Sequence, residues 1–120
     1  MLRPIPARIM RSTVTVKAGT ARDLYQNPTY TPYIVHNVHL QPTNEIRKTA
    51  SNTDCALRSI LFVDKRYSTP EIDWWMLFNN AHGMGLDMKV IVRGQEYTVF
   101  AVDELRDDTD QLHHWEISLY

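Results

Sequence analysis

The alternation between Asp87 and Val102, DMKVIVRGQEYTVFAV, constrains the fold of this chain more tightly than any other segment. With Gly94-Gln95 as a two-residue turn carrying glycine at its first central position, Arg93 faces Glu96, Val92 faces Tyr97 and Val90 faces Val99. Met88, Val90 and Val92 then share a face with Tyr97, Val99 and Ala101, while Lys89 and Arg93 meet Phe100 and Glu96 on the other. A one-residue slip would carry this whole apolar set to the wrong face. At about 1.5–3 kcal/mol for each large side chain buried, that penalty argues for a defined register. The hairpin is architecture and carries no catalytic chemistry.

Other segments repeat the period of two. Ser12–Lys17 alternates around Val14 and Val16 and ends near Ala18-Gly19. Tyr33–Leu40 places Ile34, His36, Val38 and Leu40 on one face and stops at Gln41-Pro42, because proline cannot donate to a ladder. Leu57–Asp64 returns as a third strand, covered on both faces near Ile60–Val63. Leu112–Tyr120 alternates Trp115, Ile117 and Leu119 with His114, Glu116 and Ser118. Ser68-Thr69-Pro70-Glu71 has the form of a helix start, and Gly83 and Gly85 of its end. Ile72, Trp75, Met76 and Asn79 fall at helical spacing there, although Trp74, Leu77 and Phe78 interrupt the stripe. The expectation is a mainly β chain: a small barrel or sandwich of about six strands, with one short helix and a long projecting loop over Thr43–Asp54. That loop has almost no large apolar side chain except Ile46.

A length of 120 residues suits a single domain spanning residues 1–120. A formal net charge of −1 gives no overall basic surface for nucleic acid. Pro4, Pro6, Arg3, Arg8 and Arg11 interrupt the N-terminus, so a signal peptide or membrane span is not expected, and synthesis in the cytoplasm is. The one cysteine, Cys55, excludes an internal disulfide. His36 with His39, and His113 with His114, sit at spacings that place each pair on opposite strand faces, which argues against a histidine metal site. Asp103, Glu104, Asp107, Asp108 and Asp110 lack the glycine of a calcium loop and include Arg106, the pattern of a solvated turn. No phosphate loop, nucleophile elbow or helical metal pair is present, so no enzyme activity, cofactor or small-molecule substrate is expected. Trp74, Trp75 and Phe78, with nearby methionines, either cap the core or form a subunit contact.

Taken in order, Ile5-Pro6-Ala7-Arg8-Ile9, Asn27-Pro28-Thr29-Tyr30, Asn37–Pro42, Leu61-Phe62-Val63-Asp64, Val92–Val99 and His113-His114-Trp115-Glu116 resemble the minor capsid proteins of tailed phages of Gram-positive bacteria. The Leu40-Gln41-Pro42 step before a polar loop, and the Lys89–Val99 hairpin, also resemble the head-closure, or stopper, proteins of siphophages. That resemblance implies a small β-barrel in a ring, a dodecamer by analogy, below the portal and adaptor at the head-to-tail junction of the virion. Its partners would be other copies of itself, the portal or adaptor, tail-side proteins, and packaged DNA by steric contact.

By the same analogy, Pro42, Thr43, Asn44, Glu45, Ile46, Arg47, Lys48, Thr49, Asn52 and Asp54 would close the channel. Their charges balance, whereas a surface gripping DNA needs a basic excess. Arg8 and Arg11 on one side, Asp107 and Asp108 on the other, and the aromatic residues Trp74, Trp75 and Phe78 are the expected subunit or partner contacts. The competing expectations are another connector ring, such as a tail terminator or tail-completion protein, and a small nucleic-acid-binding β-barrel.

Overall fold

The computed structural model describes residues 11–49 and 51–120. The element order is β1 (Ser12–Arg22), β2 (Pro28–Pro42), β3 (Ile46–Lys48), β4 (Asp54–Ala56), β5 (Ser59–Asp64), α1 (Trp74–Gly83), β6 (Met88–Val92), β7 (Gln95–Arg106) and β8 (Leu112–Leu119). Six strands close antiparallel in the order β1-β2-β5-β8-β7-β6, with Val90 of β6 opposite Val16 of β1. Closure pairs every barrel strand on both sides and leaves the barrel without an exposed edge. The mainly β expectation is borne out.

The interior is filled by the inward residues of each strand, among them Val14 and Val16, Leu61 and Val63, Met88 and Val90, and Ile117 and Leu119. A barrel of so few strands has room only for side chains. Trp74 of α1 completes this core; it is wholly buried, with its ring edge-on to Tyr33 at 6.0 Å.

The hairpin turn differs from the one expected. Val92 pairs with Gln95, Ile91 with Glu96 and Val90 with Tyr97, so the central turn residues are Arg93 and Gly94, at φ 51° and 77°. Two positive φ values make the turn type I′, whose twist matches the flanking strands. Moving the turn back by one residue changes each pairing by two positions, so Met88, Val90, Val92, Tyr97 and Val99 keep their common face. Hydrophobic alternation fixed the parity of the register and left the turn position open. Ala101 does leave that face: the β7–β8 register shifts between Val99 and Ala101, and Val102 is buried instead.

A second bulge rearranges β2. Asn37 adopts φ 59°, and the register against β1 shifts between Ser12 and Val14, whose partners are Val38 and Val35. Val35 and Val38, three residues apart, are therefore both buried, while Ile34 and His36 are exposed. The bulge replaces the simple alternation of Ile34, His36, Val38 and Leu40. On β5, Ile60 and Phe62 are only half-buried, so cover on the outer face is partial. On β1, Gly19 does not end the strand. It marks a close approach, since a Cβ there would lie 2.6 Å from Leu86 Cβ, and its N–H donates to Asp87 O at 3.0 Å.

Helix α1 begins later than expected. Asp73 caps it, its carboxylate accepting from Met76 N at 3.0 Å. Ser68 is occupied elsewhere: its hydroxyl donates to Asn37 O at 2.6 Å and accepts from Asp64 N at 3.0 Å, pinning the turn after β5 to the β2 bulge. The buried stripe is Trp74, Leu77, Phe78 and Ala81, at i, i+3, i+4 and i+7. The residues that interrupted the expected pattern are the inward face; Trp75 and Met76 point outward.

Candidate functional site

The polar segment after β2 leaves and re-enters the barrel at one place, because Pro42 pairs with Ser59. Thr43 N–H donates to Arg58 O at 3.0 Å and Leu57 N–H to Glu45 O at 2.8 Å, closing the base. Beyond it the segment is a paired arm, with Ile46 opposite Ala56, Arg47 opposite Cys55 and Lys48 opposite Asp54. Thr49 N–H donates to Thr53 O at 2.8 Å, and Asn52 takes φ 63° at the turn, which asparagine tolerates well. The expected loop is thus a short β-hairpin. Three-residue strands are too short to show alternation, and Ser51-Asn52 is a weak turn signal.

Arg47 fastens this arm to the outside of the barrel. Its Nη1 donates to Ser118 Oγ at 2.9 Å and lies 3.6 Å from Asp103, while Nε donates to Glu45 at 3.0 Å. Ser118, an outward residue of β8, is wholly buried. The hydrogen bond it donates to Glu45, with the Glu45 and Asp103 charges, raises the Arg47 guanidinium above its ordinary value against the opposing effect of burial. Lys48 pairs with Asp54 at 2.6 Å. The arm therefore neutralises its own charges. Leu57 is buried at its base, whereas Ile46 is 64% exposed. Pro42, Asn44, Glu45, Lys48, Asn52 and Asp54 are exposed, and Thr43, Arg47 and Thr49 half-buried.

The expected contact residues are scattered. Trp74 is removed as a contact candidate, because it is core. Trp75 is 46% exposed on the outer helix face, and Phe78 stacks on His82 at 5.9 Å on the inward side. Arg8 lies outside the described residues, and Arg11 is exposed just before β1. Asp107 organises its own turn: its Oδ1 accepts from Thr109 N at 2.9 Å, Thr109 Oγ1 at 2.6 Å and Gln111 N at 3.0 Å. These bonds, the Thr109 hydroxyl first, hold its carboxyl below the ordinary range. Asp108 beside it is exposed.

The histidine geometry also differs from the expected alternation. The β7–β8 register shifts between Leu105 and Arg106, whose partners are His114 and Leu112, so His113 is the bulge residue. Its ring turns toward its neighbour, with the two Nδ1 atoms 2.6 Å apart and His114 Nε2 3.1 Å from Glu116. A carboxylate only accepts, so His114 donates from Nε2, and one of the two Nδ1 atoms donates to the other. Among the described residues no group of three or more histidine, cysteine or acidic side chains is arranged to hold a metal ion.

A family model described as minor capsid protein matches residues 6–119. The chain belongs to the minor capsid protein family. No curated protein matches it. As a minor capsid protein it is a viral structural protein and a component of the virion.

Proposed function

We propose that this minor capsid protein is a head-closure, or stopper, subunit of a tailed phage, forming a ring below the portal and adaptor that retains packaged DNA and offers the tail its attachment surface. The observation that carries this reading is the Thr43–Arg58 arm, a hairpin inserted between β2 and β5 of a closed barrel and rooted by Arg47 on Ser118. A channel plug needs a fixed root, so that copies in a ring present the same geometry, and a tip small enough to yield. The base bonds and the Arg47 clamp supply the first, and the Thr49–Thr53 turn the second. DNA within the channel is blocked sterically: in the paired part of the hairpin Glu45, Arg47, Lys48 and Asp54 pair among themselves, so Glu45–Asp54 carries no basic excess for phosphates. That same neutrality disfavours a small nucleic-acid-binding barrel.

The test is electron microscopy of particles lacking this gene. Empty heads beside normal tails are expected. DNA-filled heads with absent or misshapen tails would place the protein in another connector ring, such as a tail terminator or completion protein, and normal infectious particles would overturn a connector role altogether. Deleting Thr49–Thr53 while keeping the paired root separates the two connector readings, since only a stopper then leaks DNA from assembled heads.

A further inference from the structure

At the β8 bulge three titratable side chains form one hydrogen-bonded chain. His113 Nδ1 lies 2.6 Å from His114 Nδ1, and His114 Nε2 lies 3.1 Å from Glu116. The two imidazoles meet edge to face with centroids 4.9 Å apart. His114 is buried and packs on Phe62, ring centroids 6.2 Å apart. His113 Nε2 is buried as well, and among the described residues it has no hydrogen-bond partner.

This arrangement accommodates two ring protons and no more. Glu116 only accepts, so one proton sits on His114 Nε2; the other lies between the two Nδ1 atoms, and with both rings neutral it belongs to His113. A third proton has only His113 Nε2 to occupy, where a buried N–H without an acceptor is costly. Placed between the rings instead, it would set two N–H groups head-on at 2.6 Å with neither able to accept.

The surroundings favour that third proton all the same. His114 contacts Glu116 on its own strand and is directly opposed on β5 by Asp64, and directly opposed residues point to the same face. Asp64 is buried; its Oδ1 accepts from Arg66 N and Tyr67 N, while Oδ2 has no hydrogen bond among the described residues. On β7, Asp103 opposes Glu116, Glu104 pairs with Arg106 at 3.1 Å, and Asp107 lies close enough for a His113 charge to favour its ionised form. The cations after β5 are Lys65, and Arg66 at 3.9 Å from Asp64 Oδ1; β2 contributes His39, on the other side of Phe62. Carboxylates predominate, and they attract positive charge to a pair that has nowhere to hold it.

We propose that His113 and His114 form an acid-opened latch. When one further proton is taken from solvent, the Nδ1–Nδ1 contact breaks, His113 turns out to water, and the His114 imidazolium stays between Glu116 and the open oxygen of Asp64. The backbone follows, because His113 is the bulge residue of β8 and its carbonyl accepts from Lys65 N–H at 3.3 Å. Lys65 begins the turn that Ser68 pins to β2, so the latch joins the ends of β5, β7 and β8 at neutral pH and loosens that join in acid. It is independent of the head-closure reading.

The test is NMR of the full ¹⁵N-labelled chain from about pH 8 to about pH 5, the span over which histidine changes charge. At the upper end His113 and His114 are expected in opposite tautomers, Nδ1–H and Nε2–H. Acid is expected to shift both rings and the Lys65 amide in step, and to speed Lys65 exchange at least about tenfold relative to Ile117 once the intrinsic pH dependence is removed. His113→Phe, which keeps a ring without nitrogens, should abolish the Lys65 response, and His39→Gln should preserve it. Both rings in the Nε2–H form at the upper end would overturn the proposal. So would a Lys65 amide that stays still while the rings titrate, or one that responds equally in His113→Phe. Tautomers and the Lys65 shift are read on the wild-type chain, so the test does not depend on the variant folding.

Discussion

Replacing Arg47 with methionine should release the inserted arm while leaving the barrel folded. Arg47 Nη1 donates to Ser118 Oγ at 2.9 Å, and Ser118 is wholly buried, so its hydroxyl has water available only if the arm lifts. A hydrogen bond from a charged group to a buried partner contributes about 1.5–3 kcal/mol. The Asp103 contact, at 3.6 Å to a carboxylate more than half exposed, adds only about 0–1 kcal/mol after solvent screening. Methionine keeps the packing of the aliphatic stem. The loss is then about 2–3 kcal/mol, which raises the opening equilibrium of the arm roughly 30- to 150-fold. Hydrogen exchange at the Leu57 and Thr43 amides, which close the base, reads that opening directly, with the Ile117 amide of β8 as a core reference. Trypsin cleavage after Lys48 should rise in parallel. A double-mutant cycle with Ser118→Ala isolates the pair, with a coupling energy of about 1–2 kcal/mol expected. Unchanged exchange at Leu57 and Thr43, or single effects that add to within about 0.3 kcal/mol, would refute the view that this bond fixes the root of the arm.

Two neighbouring tryptophans should behave oppositely. Trp74→Ala is expected to cost about 3–5 kcal/mol in denaturant unfolding because it empties part of the barrel core, whereas Trp75→Ala should stay within about 0.5 kcal/mol in the isolated chain. The Asp107 turn should respond to acid. A carboxyl whose folded pKa is depressed stabilises the turn above its unfolded pKa, and that contribution is lost as pH falls through the folded value. The Thr109 and Gln111 amide resonances should titrate together there, and Asp107→Asn should remove the shared transition. A charge reversal at Asp107 would disrupt this turn as well as any partner contact, so its effect on assembly is read beside the Thr109 and Gln111 amides.

Much of the candidate site was legible only in outline. The segment between Pro42 and Ser59 is visible in the sequence as an excursion, because it is poor in apolar residues and begins at a proline. Its pairing into β3 and β4 is not, since each strand is three residues long and the root depends on Arg47 reaching Ser118, distant in sequence.

Sequence by itself determined where the six barrel strands lie, because inward and outward residues alternate on a pleated chain and burial selects one face. It thereby determined the mainly β class, and the ordered pieces along the chain pointed to the capsid family. Tertiary structure decided everything that alternation cannot distinguish. A turn at Arg93-Gly94 and one at Gly94-Gln95 preserve the same parity, so backbone twist made the choice. Bulges at Asn37, near Phe100 and at His113 changed which residues face inward, because barrel closure demands local bends that a strict period of two does not contain. On α1, only the direction of the barrel interior could show that Trp74, Leu77, Phe78 and Ala81 form the buried stripe.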